Sequence, residues 1–508
     1  MIDGKNLFNL TYYLLEDKKK YYKEKPILIY LSGEIRKEYS YEEFIGNVVH
    51  ISEIIKNLSF SKERILIRMA NSPEYIFAFL GIVLSGNIAV PLSPQLTEDE
   101  VSFIISDCEA GFLLRSPIFS HETYSIPDLI PESNASVPLE KIPFPSDTSP
   151  ETPAYLVYTS GTTGYPKGVL HPQKSILGRL PMKDGWNGMN PKDKTLHPGQ
   201  MNWTYTMGVG MTDPILAGAT AVLTDSAFSP EVLVDILKKE RITIFSTVPA
   251  LYRRLIKYGD FSGFPSSLRH CLSAGESLSP NLRDTWKSLT GVEIYEALGM
   301  SEISTYLSTS PFIPYKENSP GKIQKGRNIK LLPRDGGLDE CKPGEIGILS
   351  VHKDEPGLFL RYWKSEKEPL PFRDSYFLTG DLAHRDLDGY LFYHGRNDDI
   401  LNASGYRISP LEIERLIRHH EFVHDVGVTS IDTGQNYHIL VAFLIAEPGL
   451  EDETSLISNL RTYLTQHLAG YKIPKEFILV KELPFNRNGK LSRKDLQKLF
   501  PPHRNIIQ

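Results

Sequence analysis

Cysteine is scarce in this sequence: Cys108, Cys271 and Cys341 stand far apart along 508 residues. An odd number gives no disulfide framework, and no Cys-x-x-Cys spacing occurs, so neither a stapled secreted fold nor a thiolate metal site is expected. Long apolar runs are missing too. The most apolar stretch, Ile76 to Leu84, is too short to cross a bilayer and reads as a buried helix. Met1 to Lys25 carries Lys18-Lys19-Lys20 and lacks the apolar core of a signal peptide, which makes a cytoplasmic location the expectation. Positive charge is not in excess. With a formal net charge of −6 and a pI near 6.2, a dedicated nucleic-acid binder is argued against. A local anion site stays open, because such sites use backbone N–H groups. No internal repeat is visible.

What is present is a soluble composition, 41% hydrophobic and 23% charged, in a chain too long for one compact core. Ser72, Pro73 and Gly86 bracket the apolar run as N-cap, helix-start proline and stop. Thr97-Glu98-Asp99-Glu100 is a capping box opening a second helix. Short apolar runs, Ile65–Met69, Ile88–Pro91, Ile242–Val248 and Leu268–Ser273, alternate with such helices. That alternation predicts an α/β architecture with largely parallel sheets.

Ser116 to Pro153, rich in Pro and Ser, reads as a surface connection between two α/β subdomains. After Gly326 the pattern changes to short β runs punctuated by Gly and Asp, such as Gly344–Val351 and Gly389–His394. A second transition comes at Gly395-Arg396-Asn397-Asp398-Asp399. Beyond it Ser409-Pro410-Leu411-Glu412 supplies an N-cap, a helix-start proline and a capping-box glutamate. Tyr437–Ile445 reads as a strand and Leu456–His467 as a helix. Together they predict a small α+β unit of roughly a hundred residues.

One loop concentrates chemistry: Thr159-Ser160-Gly161-Thr162-Thr163-Gly164-Tyr165-Pro166-Lys167-Gly168. Glycines let the backbone approach a phosphate, hydroxyls donate to it, and Lys167 adds positive charge. A Walker P-loop needs Gly-x-x-x-x-Gly-Lys-Ser/Thr, and Pro166 before Lys167 breaks that register. A plain surface turn is the bland alternative; the clustered hydroxyls and the Pro-Lys-Gly ending argue against it.

The loop resembles the phosphate-binding signature of the adenylate-forming superfamily: acyl- and aryl-CoA synthetases, peptide-synthetase adenylation domains and luciferases. The resemblance runs over almost the whole chain, with further motifs in the family's order. Ala274-Gly275-Glu276-Ser277 resembles the adenine-side segment, with Ser277 where acetyl-CoA synthetases usually carry proline. Leu298-Gly299-Met300-Ser301-Glu302 is similar to the aromatic-Gly-x-Thr-Glu motif, departing from it at Leu298. The resemblance implies that Ser301 meets the α-phosphate and that Glu302 binds Mg²⁺, a hard cation that takes oxygen ligands. Thr379-Gly380-Asp381 resembles the ribose motif, with Asp381 accepting from the sugar hydroxyls and Arg396 adding a ribose or phosphate contact.

The same resemblance implies a fold. Residues 1–396 would form an AMP-binding domain of two α/β subdomains plus a small β-barrel-like part, and residues 397–508 a small mobile α+β domain turning about Asp398. Asn402 to Arg407 is similar to the segment used for thioester formation: Gly405 admits the pantetheine arm and Arg407 contacts phosphate. Pro484 to Lys490 is similar to the family's ending, and Lys490 would bridge carboxylate and phosphate in the adenylation step. Acetylation would delete that charge, so a lysine acetyltransferase and deacetylase acting on Lys490 are expected partners.

The implied activity is that of an ATP-dependent carboxylic acid–CoA ligase using Mg²⁺, closest to medium-chain acyl-CoA and benzoate-CoA ligases. Gly299 stands where acetyl-CoA synthetases carry a pocket-closing tryptophan, so an acid larger than acetate is expected, in a pocket lined by Trp203 and Tyr205. Three alternatives stay open: a carrier-protein-loading adenylation enzyme, an acyl-AMP ligase without a thioester step, and a nucleotide-binding sensor on a non-catalytic scaffold.

Overall fold

Helix Pro73–Leu84 shows how the sequence pattern becomes architecture. Ser72 accepts a hydrogen bond from the Tyr75 N–H, Pro73 takes the first helical position, and every residue but Glu74 is buried. A helix apolar on all faces must be covered on all faces. It lies in one core with helix Leu10–Lys19, helix Tyr41–Asn57 and strand residues of two different sheets: Ile65, Ile67, Ala89 and Val157 from one, Leu28, Ala221 and Leu223 from the other. The structure, a computed structural model, describes residues 7–19, 25–58, 62–115, 128–129, 142, 147–160, 166–225, 228–264, 267–275, 277–364, 369–397, 401–403, 406–432, 438–447, 452–468, 470–485 and 491–501.

Two compact units are present: Met1–Ile329 with Val351–Phe377 and Gly389–Leu391, and Lys330–Ser350 with Leu378–Asp388 and Phe392–Gln508. The first unit holds both large sheets. Its seven-stranded sheet runs Arg361–Tyr362, Pro166–Pro172, Pro153–Ser160, Ile88–Pro91, Arg64–Arg68, Phe112–Arg115, Asp128–Leu129. Ile88–Pro91 is parallel to its partner Arg64–Arg68 and is buried at every position, which is why it reads as a continuous apolar run and not as an alternation. The nine-stranded sheet includes, in order, Ser304–Ser308, Ile294–Met300, His270–Ala274 and Ile244–Thr247. Strand Asp128–Leu129, parallel to Phe112–Arg115, lies inside the stretch read as connection; two residues carry no periodic signal.

The second unit holds most of a small sheet in which Ile329–Pro333, Gly347–His352 and Tyr376–Arg385 are neighbours in that order, and Leu391–Arg396 pairs with Tyr376–Arg385. Its remainder is an α+β layer. Strand His438–Ala446 pairs antiparallel with Val423–Asp432 and parallel with Glu476–Leu479. Ile413 and Ile417 of helix Pro410–Arg418 and Leu456, Leu460 and Leu464 of helix Glu453–His467 bury with Val426, Val428, Leu440 and Leu444.

The capping box at Thr97 and Glu100 is formed as read. The one expected at Ser409 and Glu412 is not. Ser409 caps helix Pro410–Arg418 without a side-chain bond, because its Oγ donates to the His394 carbonyl at 2.5 Å. Glu412 is held by Lys472 Nζ at 2.7 Å. Partners distant in sequence outcompete the local motif. No helix among the described residues is long and apolar enough to cross a membrane.

Candidate active site

The two ends of the loop read as a phosphate cradle belong to paired strands. Strands Pro153–Ser160 and Pro166–Pro172 pair antiparallel, with Thr159 opposite Lys167 and Ser160 opposite Pro166. The pairing puts a hydroxyl and an ammonium on facing residues, Thr159 and Lys167. Gly161, Thr162, Thr163 and Gly164, and the Ser160 side chain, lie outside the described residues. Lys167 Nζ stands 5.7 Å from the centroid of the Tyr362 ring, within cation–π range.

Ser301, Glu302 and Ile303 form the tight turn between strands Ile294–Met300 and Ser304–Ser308, with Met300 opposite Ser304. The turn is fastened from several sides. Glu302 O accepts from the Phe359 N–H at 2.8 Å, and Glu302 Oε1 accepts from the Tyr362 hydroxyl at 2.7 Å. Ser304 sits at φ 69°, a left-handed conformation costly for a residue with a Cβ. Its hydroxyl accepts from Arg179 Nη1 at 2.7 Å, and Arg179 is itself paired with buried Asp213. Arg327 donates to the Thr305 carbonyl at 2.6 Å and to Glu355 at 2.8 Å, both charges fully buried. Buried pairs of this kind are costly to break singly, on the order of 3–5 kcal/mol, because a bare charge is left behind. They hold the Ser301–Glu302 turn in one geometry.

A small cavity of about 30 Å³ adjoins this turn, lined among others by Tyr155, His171, Ser175, Arg179, Thr204 and Ser304. His171 is stacked on Tyr155, ring centroids 4.6 Å apart, and burial pushes its pKa down to about 3. It is a neutral imidazole at any working pH.

Around the expected acyl pocket the residues divide. Trp203 is partly exposed and lies against Gly275, where a Cβ would stand 3.3 Å from its ring. Gly275 has φ 96°, a conformation glycine adopts without strain. Tyr205 is buried, packs edge-on to Trp203 at 5.5 Å, and donates to the Thr247 carbonyl at 3.1 Å. Burial pushes its phenol pKa up. At Gly299 a Cβ would meet the facing strand, 2.5 Å from Ser304 O and 2.6 Å from Thr305 Cα. Its missing side chain admits a neighbouring backbone at a β-bulge between Leu298 and Gly299.

In the second unit Asp381 is buried. Its backbone N–H donates to Thr379 Oγ1 at 3.0 Å, and its Oδ1 accepts from the Tyr393 hydroxyl at 3.1 Å with Arg396 Nη1 at 3.8 Å. Gly380, at φ 80°, lets that guanidinium close in, since a Cβ would be 3.0 Å from Arg396 Nη2. A carboxylate and a half-exposed arginine in contact suit a ligand with hydroxyls and negative charge. Asn402 and Arg407 pair across the hairpin Leu401–Ala403/Tyr406–Ile408. The Arg407 side chain, Gly405, Glu276, Asp398 and Lys490 lie outside the described residues.

No group of three or more His, Cys, Asp or Glu that could hold a metal occurs among the described residues. A single carboxylate at Glu302 fits Mg²⁺ arriving with a nucleotide, because Mg²⁺ is commonly bound by one or two carboxylates plus substrate phosphates. Tyr362, Tyr393 and the Arg179–Asp213 pair escaped the sequence reading. Each acts on a residue remote in sequence or through a side chain with no local pattern, and only the motif spacing around Glu302 and Asp381 hinted at a site.

Comparison with known proteins adds two family matches: the AMP-binding enzyme model over residues 15–363 and the AMP-binding enzyme C-terminal domain over residues 412–490. The chain is 29% identical over 488 residues to the uncharacterized acyl–CoA ligase YtcI of Bacillus subtilis (strain 168), covering 91% of this chain and 90% of that protein. It is 28% identical to the 3-hydroxybenzoate–CoA ligase of Aromatoleum sp. (strain CIB), covering 86% and 87%. Among solved structures, that of the anthranilate CoA ligase AuaEII in complex with anthranoyl-AMP superposes with a TM-score of 0.82 at 26% identity, covering 98% of each chain.

Proposed function

Because this chain belongs to the AMP-binding enzyme family, we propose that it is an ATP-dependent carboxylic acid–CoA ligase acting on a medium-chain or aromatic monocarboxylic acid larger than acetate. One observation carries the reading: the Ser301–Glu302 turn and the loop residue Lys167 both meet Tyr362, the first at its hydroxyl and the second at its ring. A carboxylate for the nucleotide's metal and a cation for its phosphates then share one support.

Adenylation joins two anions, the substrate carboxylate and the α-phosphate, so their repulsion must be offset by fixed positive groups. Lys167 and the loop amides bind the phosphates, Ser301 donates to the α-phosphate, and Asp381 with Arg396 holds the ribose. Mg²⁺, held by Glu302, neutralises phosphate charge when bound. Lys490 bridges the two reacting anions in the first step. In the second, the C-terminal domain turns about Asp398 and the Gly405 segment admits CoA, whose thiol displaces AMP. The names of the relatives support an aromatic acid, and Trp203, partly exposed against Gly275, supports a flat apolar wall for it.

The test is pyrophosphate release over a panel of short, medium, branched and aromatic acids, with and without CoA. Release with aromatic or medium-chain acids, and acyl-CoA formed when CoA is present, is the expected result. Release with acetate alone would overturn the substrate class. Adenylate accumulating in the presence of CoA would point to an acyl-AMP ligase without a thioester step, thioester formed on a carrier protein but not on CoA to a carrier-protein loader, and nucleotide binding without any release to a sensor.

A further inference from the structure

We propose that Tyr362 is a positioning residue for adenylation, setting the Glu302 carboxylate and the Lys167 ammonium relative to one another; the inference rests on the ligase reading above. Strand Arg361–Tyr362 pairs antiparallel with Val169 and Leu170 of the strand that leaves the phosphate loop. On either side the chain is fastened again. Leu360 N donates to the Leu170 carbonyl at 2.7 Å and Trp363 N to the Gly168 carbonyl at 2.7 Å, while Phe359 N donates to Glu302 O at 2.8 Å. The Trp363 indole donates to the Asp107 carbonyl at 2.9 Å. Residues 359–363 therefore link the loop strand to the Ser301–Glu302 turn through backbone bonds, and Tyr362 adds a side-chain contact to each.

Its two ends do different things. The hydroxyl donates to Glu302 Oε1 at 2.7 Å, which fixes the rotation of the carboxylate. Among the described residues no hydrogen bond is made to Oε2, the oxygen left to face a cation. The ring, 5.7 Å from Lys167 Nζ, offers the ammonium an electron-rich face. Partners that orient a metal-binding carboxylate commonly change metal affinity by 10- to 100-fold when removed. Lys167 and Glu302 carry opposite charges, and one tyrosine meets both, the carboxylate at its hydroxyl and the ammonium at its ring.

The test uses the full chain with Mn²⁺ as the probe, titrated by electron paramagnetic resonance in the presence of α,β-methylene-ATP, alongside the Mg²⁺ dependence of turnover. For Tyr362→Phe the expected result is about a tenfold weaker Mn²⁺ affinity and a matching rise in half-saturating Mg²⁺, with kcat at saturating Mg²⁺ largely kept. Glu302→Gln should weaken Mn²⁺ at least as much. Adding Tyr362→Phe to Glu302→Gln should change Mn²⁺ affinity no further, because the hydroxyl acts through the carboxylate. Unchanged Mn²⁺ affinity in Tyr362→Phe, or fully additive losses in the double variant, overturns the proposal. A general loss of structure would give the additive result, so it cannot imitate the expected one. Wild-type protein that releases no pyrophosphate with any acid defeats the ligase reading instead, and the Mn²⁺ titration reports on Tyr362 independently of it.

Discussion

Asp381 is buried, accepts from Tyr393 and lies beside Arg396, so its carboxylate is held in place before any nucleotide arrives. Asp381→Asn keeps size and the Tyr393 bond but halves the acceptor capacity offered to sugar hydroxyls. The expected outcome is a KM for ATP raised about tenfold, the scale of one or two hydrogen bonds to a charged group, with a smaller change in kcat. Steady-state kinetics with ATP varied checks this, and an unchanged KM would remove Asp381 from the nucleotide site. Gly299 carries a different lesson. Read along the chain, it is an absent pocket wall; in the fold its Cβ direction runs into the backbone of Ser304 and Thr305. Gly299→Ala is therefore expected to destabilise by about 1–3 kcal/mol, the usual penalty of forced overpacking. Urea melts would show it, and wild-type stability would mean the facing strand yields readily.

At the scale of elements, the two serine caps separate what local sequence decides from what it does not. Ser72 bonds the Tyr75 N–H at the start of a fully packed helix, and Ser72→Ala is expected to cost about 1 kcal/mol of stability. Ser409 spends its hydroxyl on the His394 carbonyl instead, so Ser409→Ala should disturb the join between strand Leu391–Arg396 and helix Pro410–Arg418 while leaving the helix itself formed. Amide hydrogen exchange would distinguish the two: fraying of residues 410–413 in Ser409→Ala would restore the simple capping role. The hairpins around the phosphate loop and around Ser301–Glu302 were legible as motifs but not as hairpins. Nothing in Gly-rich turn chemistry tells whether a strand or a helix follows.

At the scale of the whole molecule, three histidines among the described residues are buried and kept neutral. Burial pushes His171 down to about 3 and His197 and His270 to about 4, from an ordinary value of 6.5. Between the folded and unfolded values the unfolded chain binds more protons, so stability rises with pH there. It is fully present above pH 6.5 and is lost as pH falls towards 4. From pH 7 to pH 5 each histidine is expected to remove about 1–2 kcal/mol. Thermal melts across that range check the sign, and a melting temperature that rises on acidification would contradict it. The proposed turning of the C-terminal domain also belongs at this scale. Asp398→Pro restricts the backbone at the pivot and should spare pyrophosphate release while slowing thioester formation; equal losses in both half-reactions would place the defect elsewhere.

The linear sequence by itself determined the order of the motifs: a hydroxyl-rich loop ending in Lys167, then Gly275, Ser301-Glu302, Asp381, and a Gly-Lys ending. These motifs are legible because backbone approach to a phosphate needs glycines, hydroxyls and charge at fixed local spacing. It also determined the buried helix Pro73–Leu84, whose apolar run admits no other environment. Only the tertiary structure decided that Glu302 is held by a tyrosine 60 residues further on, that Tyr205 is buried, and that Gly299 lies close against the facing backbone of Ser304 and Thr305. Each of those depends on which segment lies alongside another. Long-range strand pairing settles that question, and a local pattern of residues carries no record of it.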